Sequence, residues 1–193
     1  MRSFFLTNIR TAYVFRSQVP QEDAEGNVRA LAIRNLAGVR PLQWQDLPRI
    51  RIDDQLKGYC LQPGDVVIPS RGDRYRAWCF EGADEPVFPL GQLNVITPSR
   101  DLDPHYLAWY LNRASTQAKI ALMLSGTSIL ALTKSSLQSL VIEAPEMSKQ
   151  RLIADLESTT QRIALIRHRL NELDAEETAH LTDALWSRGR END

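Results

Sequence analysis

The feature that most constrains this chain is a stretch of forty residues, Ser148 to Ser187, with no glycine and no proline. Within it Leu156, Ile163 and Leu170 recur every seven residues, and so do Leu152, Thr159, Ile166 and Leu173. The two series interleave as positions a and d of a heptad, which puts a narrow apolar stripe along one side of a helix. At 1.5 Å per residue such a helix runs roughly 60 Å, more than a domain of this size can cover. The stripe predicts pairing with another helix through Leu152, Leu156, Ile163, Ile166, Leu170 and Leu173. One amphipathic helix lying on its own domain is the plainer alternative.

The whole chain has 193 residues, 43% of them hydrophobic and 24% charged, which suits one ordinary domain with a helical appendage. The boundaries expected from the sequence are a globular domain over 1–147, a long helix over 148–187 and a disordered tail over 188–193. No apolar run reaches the roughly 18 residues that a membrane-spanning helix needs. The opening MRSFFLTNIRTAYVFRS has neither a long apolar core nor a small-residue cleavage site, so neither a signal peptide nor a membrane partner is expected. Cys60 and Cys79 fit no metal or disulfide spacing and read as reduced, mostly buried thiols of a cytoplasmic protein.

Net charge is −1, so bulk charge points to no nucleic acid. Distribution is more informative. Residues 1–147 hold 16 basic and 15 acidic side chains, a net of +1, and residues 148–193 hold 7 and 9, a net of −2. Arg29–Arg76 holds 9 basic against 5 acidic, a net of +4, and eight of the nine are arginine. Arginine offers two parallel donors to a phosphate or a guanine edge, which lysine does not.

Residues 1–28 read as irregular, with a polar turn from Pro20 to Asn27. Val28–Ile33 alternates as a strand, and Asn35–Gly38 turns the chain. Pro63-Gly64 makes a tight turn into a buried strand, Val66-Val67-Ile68. The polar turn Arg71-Gly72-Asp73-Arg74-Tyr75-Arg76 then leads to a second strand, Ala77–Phe80, and the pair reads as a hairpin. Val87–Leu90 and Leu93–Ile96 are short strands. Asp103-Pro104 is a helix start, with aspartate as cap and proline in the first turn. A second helix covers Ser115–Met123 and ends at Gly126. Ser135–Leu140 is a short turn or helix before the strand Val141-Ile142. The class expected is α+β: a small mixed sheet followed by a long C-terminal coiled-coil helix.

Enzyme constellations are missing. There is no phosphate-binding GxxxxGK[ST] loop, no GxGxxG, no GxSxG and no Asn-Pro-Pro-aromatic loop. His105, His168 and His180 have no metal-ligand spacing. Gln117-Ala118-Lys119, with Asp101 or Asp103 upstream, faintly echoes a nuclease motif, but it falls in a helical segment. A non-catalytic binding protein without cofactor is expected.

The order of elements resembles one half of a type I restriction–modification specificity subunit, a family whose target recognition domains are each followed by a long helix. Tyr59–Ile68 looks like the family's Leu-x-x-Gly-Asp strand. Asn94-Val95-Ile96 with Leu102–Asn112 looks like its strand and Leu-x-Pro-x-Tyr-Leu helix. Ser125-Gly126-Thr127, Leu137, Leu140-Val141-Ile142 and Pro145 look like the segment before the long helix. Gln150, Ile153 and Leu156 look like the start of that helix. The likeness runs from about Val28 to about Leu173. The familiar subunit has two recognition domains and two helices, whereas this sequence carries one of each, and the family's N-terminal motif is not clear near Thr11-Ala12-Tyr13.

The resemblance implies a half-size form that binds double-stranded DNA and works as a homodimer, or with another half. It would direct a separate adenine methyltransferase subunit to a bipartite site, with a restriction translocase as a further partner in phage defence. S-adenosylmethionine and ATP are then expected only on those partners. Candidate DNA contacts are Arg71, Arg74, Tyr75 and Arg76 at the hairpin tip, where arginine can reach guanine O6 and N7. Ser125, Thr127, Ser128 and Lys134 suit phosphate contacts. Gln92 and Asn94 have the amide that reads adenine. Trp78, Trp109, Tyr106 and Tyr110 read as core. Two other readings keep the architecture: an oligomeric scaffold that reads no DNA, and a decoy half-subunit that alters a methyltransferase's specificity.

Overall fold

The computed structural model describes residues 1–16, 20–36, 42–124 and 130–190. In chain order these form β1 (Arg2–Phe5), β2 (Ile9–Thr11), β3 (Val28–Leu31), α1 (Ile33–Leu36), β4 (Arg49–Ile50), β5 (Val66–Pro69), β6 (Trp78–Cys79), β7 (Val87–Pro89), β8 (Leu93–Ile96), α2 (Pro104–Asn112), α3 (Ala114–Met123), α4 (Lys134–Ser139), β9 (Val141–Ala144) and α5 (Met147–Arg190). Short 3-10 helices lie at Trp44–Asp46 and Asp54–Tyr59. The class is the mixed α+β expected. The chain divides into two compact units, Met1–Ala154 and the residues from Asp155 onward.

The first unit is built around the four-stranded sheet β2-β8-β5-β6, all antiparallel. Strand β5 is buried at every position, and its side chains alternate between two cores. Val66 and Ile68 join Leu107, Leu111, Ile120 and Ile142, whereas Val67 joins Leu31, Trp44, Val87 and Val95. A strand covered on both faces reads as a continuous apolar run, which is why Val66-Val67-Ile68 stood out. A three-stranded sheet, β4-β3-β7, surrounds a third core of Val28, Ile50, Ile52 and Phe88, and its β3–β7 pair is parallel. Gly26 lies so close to β4 that a Cβ there would meet the Ile50 carbonyl oxygen at 2.5 Å.

Residues 1–28, expected to be irregular, hold β1 and β2. Strand β1 pairs antiparallel with β9, Phe5 opposite Val141, and β2 pairs with β8. Their partners lie about 85 to 140 residues away, and pairing rather than local pattern makes these short segments strands. Asn35 lies within α1, not in a turn, and its Oδ1 accepts from the Ala32 backbone N–H at 2.9 Å.

The Pro-Gly-Asp turn before β5 is a structural device. Gly64 has φ +91, the left-handed region that glycine enters without a steric penalty. The Asp65 side chain, 2% exposed, accepts from the Gln62 backbone N–H, from Arg10 of β2 and from the Thr97 hydroxyl. One buried carboxylate thus ties the turn to the sheet.

Helix α2 starts as expected, with the Asp103 carboxylate accepting from the backbone N–H groups of His105 and Tyr106. The start of α5 is fastened to the same point. Gln150 is 1% exposed, accepts from the Asp103 N–H, and donates to the carbonyls of Asp101 and Pro145. Ala154 is the last residue of α5 buried in the first unit. The helix then continues to Arg190, past the boundary at 188 where a disordered tail was expected. Gly189 costs a helix about 1 kcal/mol relative to alanine, which weakens it without ending it. Residues 191–193 lie outside the described ones. No helix among the described residues is long and apolar enough to cross a membrane.

Candidate nucleic-acid interface

The loop Ser70–Ala77 joins β5 to β6, the hairpin that the sequence predicts. Gly72 at φ +107 allows its sharp turn. The loop backbone is held from three sides. Ser70 donates from its N–H to the Gln92 carbonyl and accepts from the Leu132 N–H, and Arg71 makes an antiparallel bridge with Ala131. The side chain of Asn112, at the end of α2, pairs with both backbone groups of Ala77 at 2.8 Å each, as a neighbouring strand would. From α3, Gln117 Nε2 donates to the carbonyls of Tyr75 (2.9 Å) and Leu111 (2.7 Å).

Arg71 and Arg74 are exposed on this loop. Arg76 is half-buried, with its guanidinium 4.8 Å from the centre of the Trp78 ring. Tyr75 departs from expectation. It is 6% exposed, its ring belongs to the core, and its hydroxyl donates to the Leu130 carbonyl at 3.1 Å. Burial, and then the Asp73 carboxylate, raise its phenol above the ordinary value, so it remains a protonated donor. The sequence does not show this burial because the apolar floor beneath the polar turn is made by distant segments. Asn94 departs in the same way: it is 2% exposed and its amide donates to the Leu132 carbonyl, so it is not presented for reading adenine. Gln92 is exposed.

Lys134 is exposed in the first turn of α4, whose cap is Thr133. Arg71 and Lys134 therefore sit on segments that the Arg71–Ala131 bridge brings together. Ser125, Thr127 and Ser128 lie outside the described residues. Tyr106 and Tyr110 are buried and Trp78 and Trp109 partly buried against the cores, as expected.

The basic excess of Arg29–Arg76 is largely matched from outside that window. Arg29 and Arg49 both pair with Glu85, Arg34 pairs with Glu22, and Arg51 with Asp23. Hydrogen bonding to Arg49 is the main cause that lowers the Glu85 carboxyl, and the same bond raises Arg49. Counting charge along a window missed this because the acids come from neighbouring strands and turns. Asn112 and Gln117 were missed as well, and Gln117 drew notice only as part of a nuclease echo. The Gln117 amide is engaged with two backbone carbonyls, and the Asp103 carboxylate caps α2. Among the described residues no group of His, Cys, Asp or Glu is placed to hold a metal.

On α5, Leu152 and Leu156 are each 67% exposed, and Ile163, Ile166, Leu170 and Leu173 are 43–56% exposed.

Residues 63–175 match the family model of the type I restriction modification DNA specificity domain, more than half of the chain. The chain belongs to the type I restriction–modification DNA specificity family. Three solved structures share the fold. The S subunit of the type I system from M. genitalium is 16% identical with a TM-score of 0.55, covering 82% of this chain and 38% of its own. The HsdS subunit from Thermoanaerobacter tengcongensis is 19% identical with a TM-score of 0.60, covering 86% and 39%. A chain from a study of complex assembly and conformational transition of the type I R-M system is 20% identical with a TM-score of 0.58, covering 91% and 42%. This chain thus spans about two fifths of the length of each of these three chains. No curated protein gives a significant match.

Proposed function

We propose that this member of the specificity family reads double-stranded DNA with the Ser70–Ala77 loop and pairs α5 with an antiparallel helix of a second copy. In this reading it is a non-catalytic subunit that brings an adenine methyltransferase, and a restriction translocase where one is present, to a bipartite site. The observation that carries it is the loop: Arg71 and Arg74 are exposed on a backbone anchored to the sheet, α2 and α3, within the family-matched domain. Exposed arginines on an anchored turn can reach phosphates and guanine edges. The exposed stripe on α5 supports the pairing, because a monomer would leave six large apolar side chains in water. Antiparallel pairing about a two-fold axis would present two loops to inverted half-sites, with helix length setting their separation.

The scaffold reading draws on one observation, the ion pairing that engages Arg29, Arg34, Arg49 and Arg51 with three carboxylates. Affinity purification from the native host separates the two. Recovery of a DNA methyltransferase in near-equal amount, with adenine methylation at an interrupted palindrome, is the result expected of a DNA reader. Recovery only with itself, with no salt-dependent DNA binding, is the result expected of a scaffold.

A further inference from the structure

The Ser70–Ala77 loop is gripped by the half-buried side chains of Asn112 and Gln117 and by the buried Tyr75. Asn112 satisfies both backbone groups of Ala77 from the end of α2, and Gln117 holds the Tyr75 carbonyl from α3. On the far side the Tyr75 hydroxyl holds the Leu130 carbonyl. These bonds fix the backbone on both sides of Arg76 and on the C-terminal side of Arg74. A loop held this way has little freedom to adapt its arginines to different base edges.

We propose that Tyr75, Asn112 and Gln117 are positioning residues for sequence discrimination. They fix the loop so that its arginines meet one pattern of base edges, and they contribute little to general affinity for DNA. The inference rests on the DNA-reading function proposed above. It separates two quantities: exposed cations set sequence-independent affinity and its salt dependence, whereas loop rigidity sets the ratio between a preferred and a scrambled sequence.

The test uses the full chain in its assembly with the methyltransferase subunit, and a pool of duplexes with randomised positions. Selection with the parent protein gives a preferred duplex, and binding is then compared with a scrambled duplex of the same composition. Gln117→Met and Tyr75→Phe are the variants, the second removing one hydroxyl while keeping the buried ring. The expected result is about a tenfold fall in the preferred-to-scrambled ratio, the loss that corresponds to roughly 1.4 kcal/mol. Affinity for the scrambled duplex and the slope of affinity against salt stay unchanged. An unaltered ratio in a folded variant overturns the proposal, and so does an equal loss on both duplexes. If Gln117→Met does not fold, the ratio for Tyr75→Phe decides alone. A parent protein that enriches no sequence overturns the DNA-reading function itself, and the positioning role with it.

Discussion

The first 154 residues and the helix beyond them solve opposite problems. In the first unit most large apolar side chains enter a core, and the buried polar groups Asp65, Asn94 and Gln150 find partners there. From Asp155 onward no described residue of α5 is buried, although Ile163, Ile166, Leu170 and Leu173 repeat with the regularity of a core. The first region builds its own cores. The second has the pattern of an interior with only one wall. The difference teaches that regular apolar spacing records a contact without saying which chain supplies its other half.

That contrast can be broken most directly at the stripe. Ile163→Asp with Ile166→Asp should weaken pairing by more than about 4 kcal/mol, roughly a thousandfold, by burying charge in the seam. Light scattering should then report half the parent's mass, with the cooperative unfolding of Met1–Ala154 unchanged. An unaltered mass would mean that the stripe is not the pairing surface.

The same contrast is sharpened where the two regions share a helix. Gln150→Leu leaves the Asp103 N–H and the carbonyls of Asp101 and Pro145 without their side-chain partner, and should cost the first unit about 3 kcal/mol in denaturant unfolding. Leu156→Ala, six residues on, should leave that transition within about 0.5 kcal/mol because its side chain meets solvent in a single chain.

Smaller effects separate exposed arginines that bind from those that merely pair. Arg71→Ala should weaken DNA binding by about 1–2 kcal/mol and reduce the salt slope by about one, measured by fluorescence anisotropy over a salt series. Arg34→Ala breaks an exposed pair with Glu22 and should change stability by less than about 0.5 kcal/mol in urea unfolding.

What the sequence made legible follows how local each cause is. The cap at Asp103, the Pro-Gly turn and the buried run Val66-Val67-Ile68 depend on neighbours within a few residues, and each stood where it was expected. The strands Arg2–Phe5 and Ile9–Thr11 depend on partners about 85 to 140 residues away and gave no signal of their own. At the candidate interface, Arg71 and Arg74 were readable as polar turn residues, but the inward Tyr75 and the grip of Asn112 and Gln117 were not. Those roles arise only once the corner between α2 and α3 is folded against the hairpin.

The pairing of β1 with β9 sets an order of events during synthesis. Arg2–Phe5 leaves the ribosome well before its partner Val141–Ala144, which is among the last parts of the domain to be made. At 5–20 residues per second the first strand waits on the order of ten seconds for its neighbour. Over that interval Phe4, Phe5 and an unpaired strand edge remain open to other nascent chains or to a chaperone. The first strand is therefore a late-closing clasp, and the steps before its closure are where crowding on a polysome should most reduce the yield of folded protein.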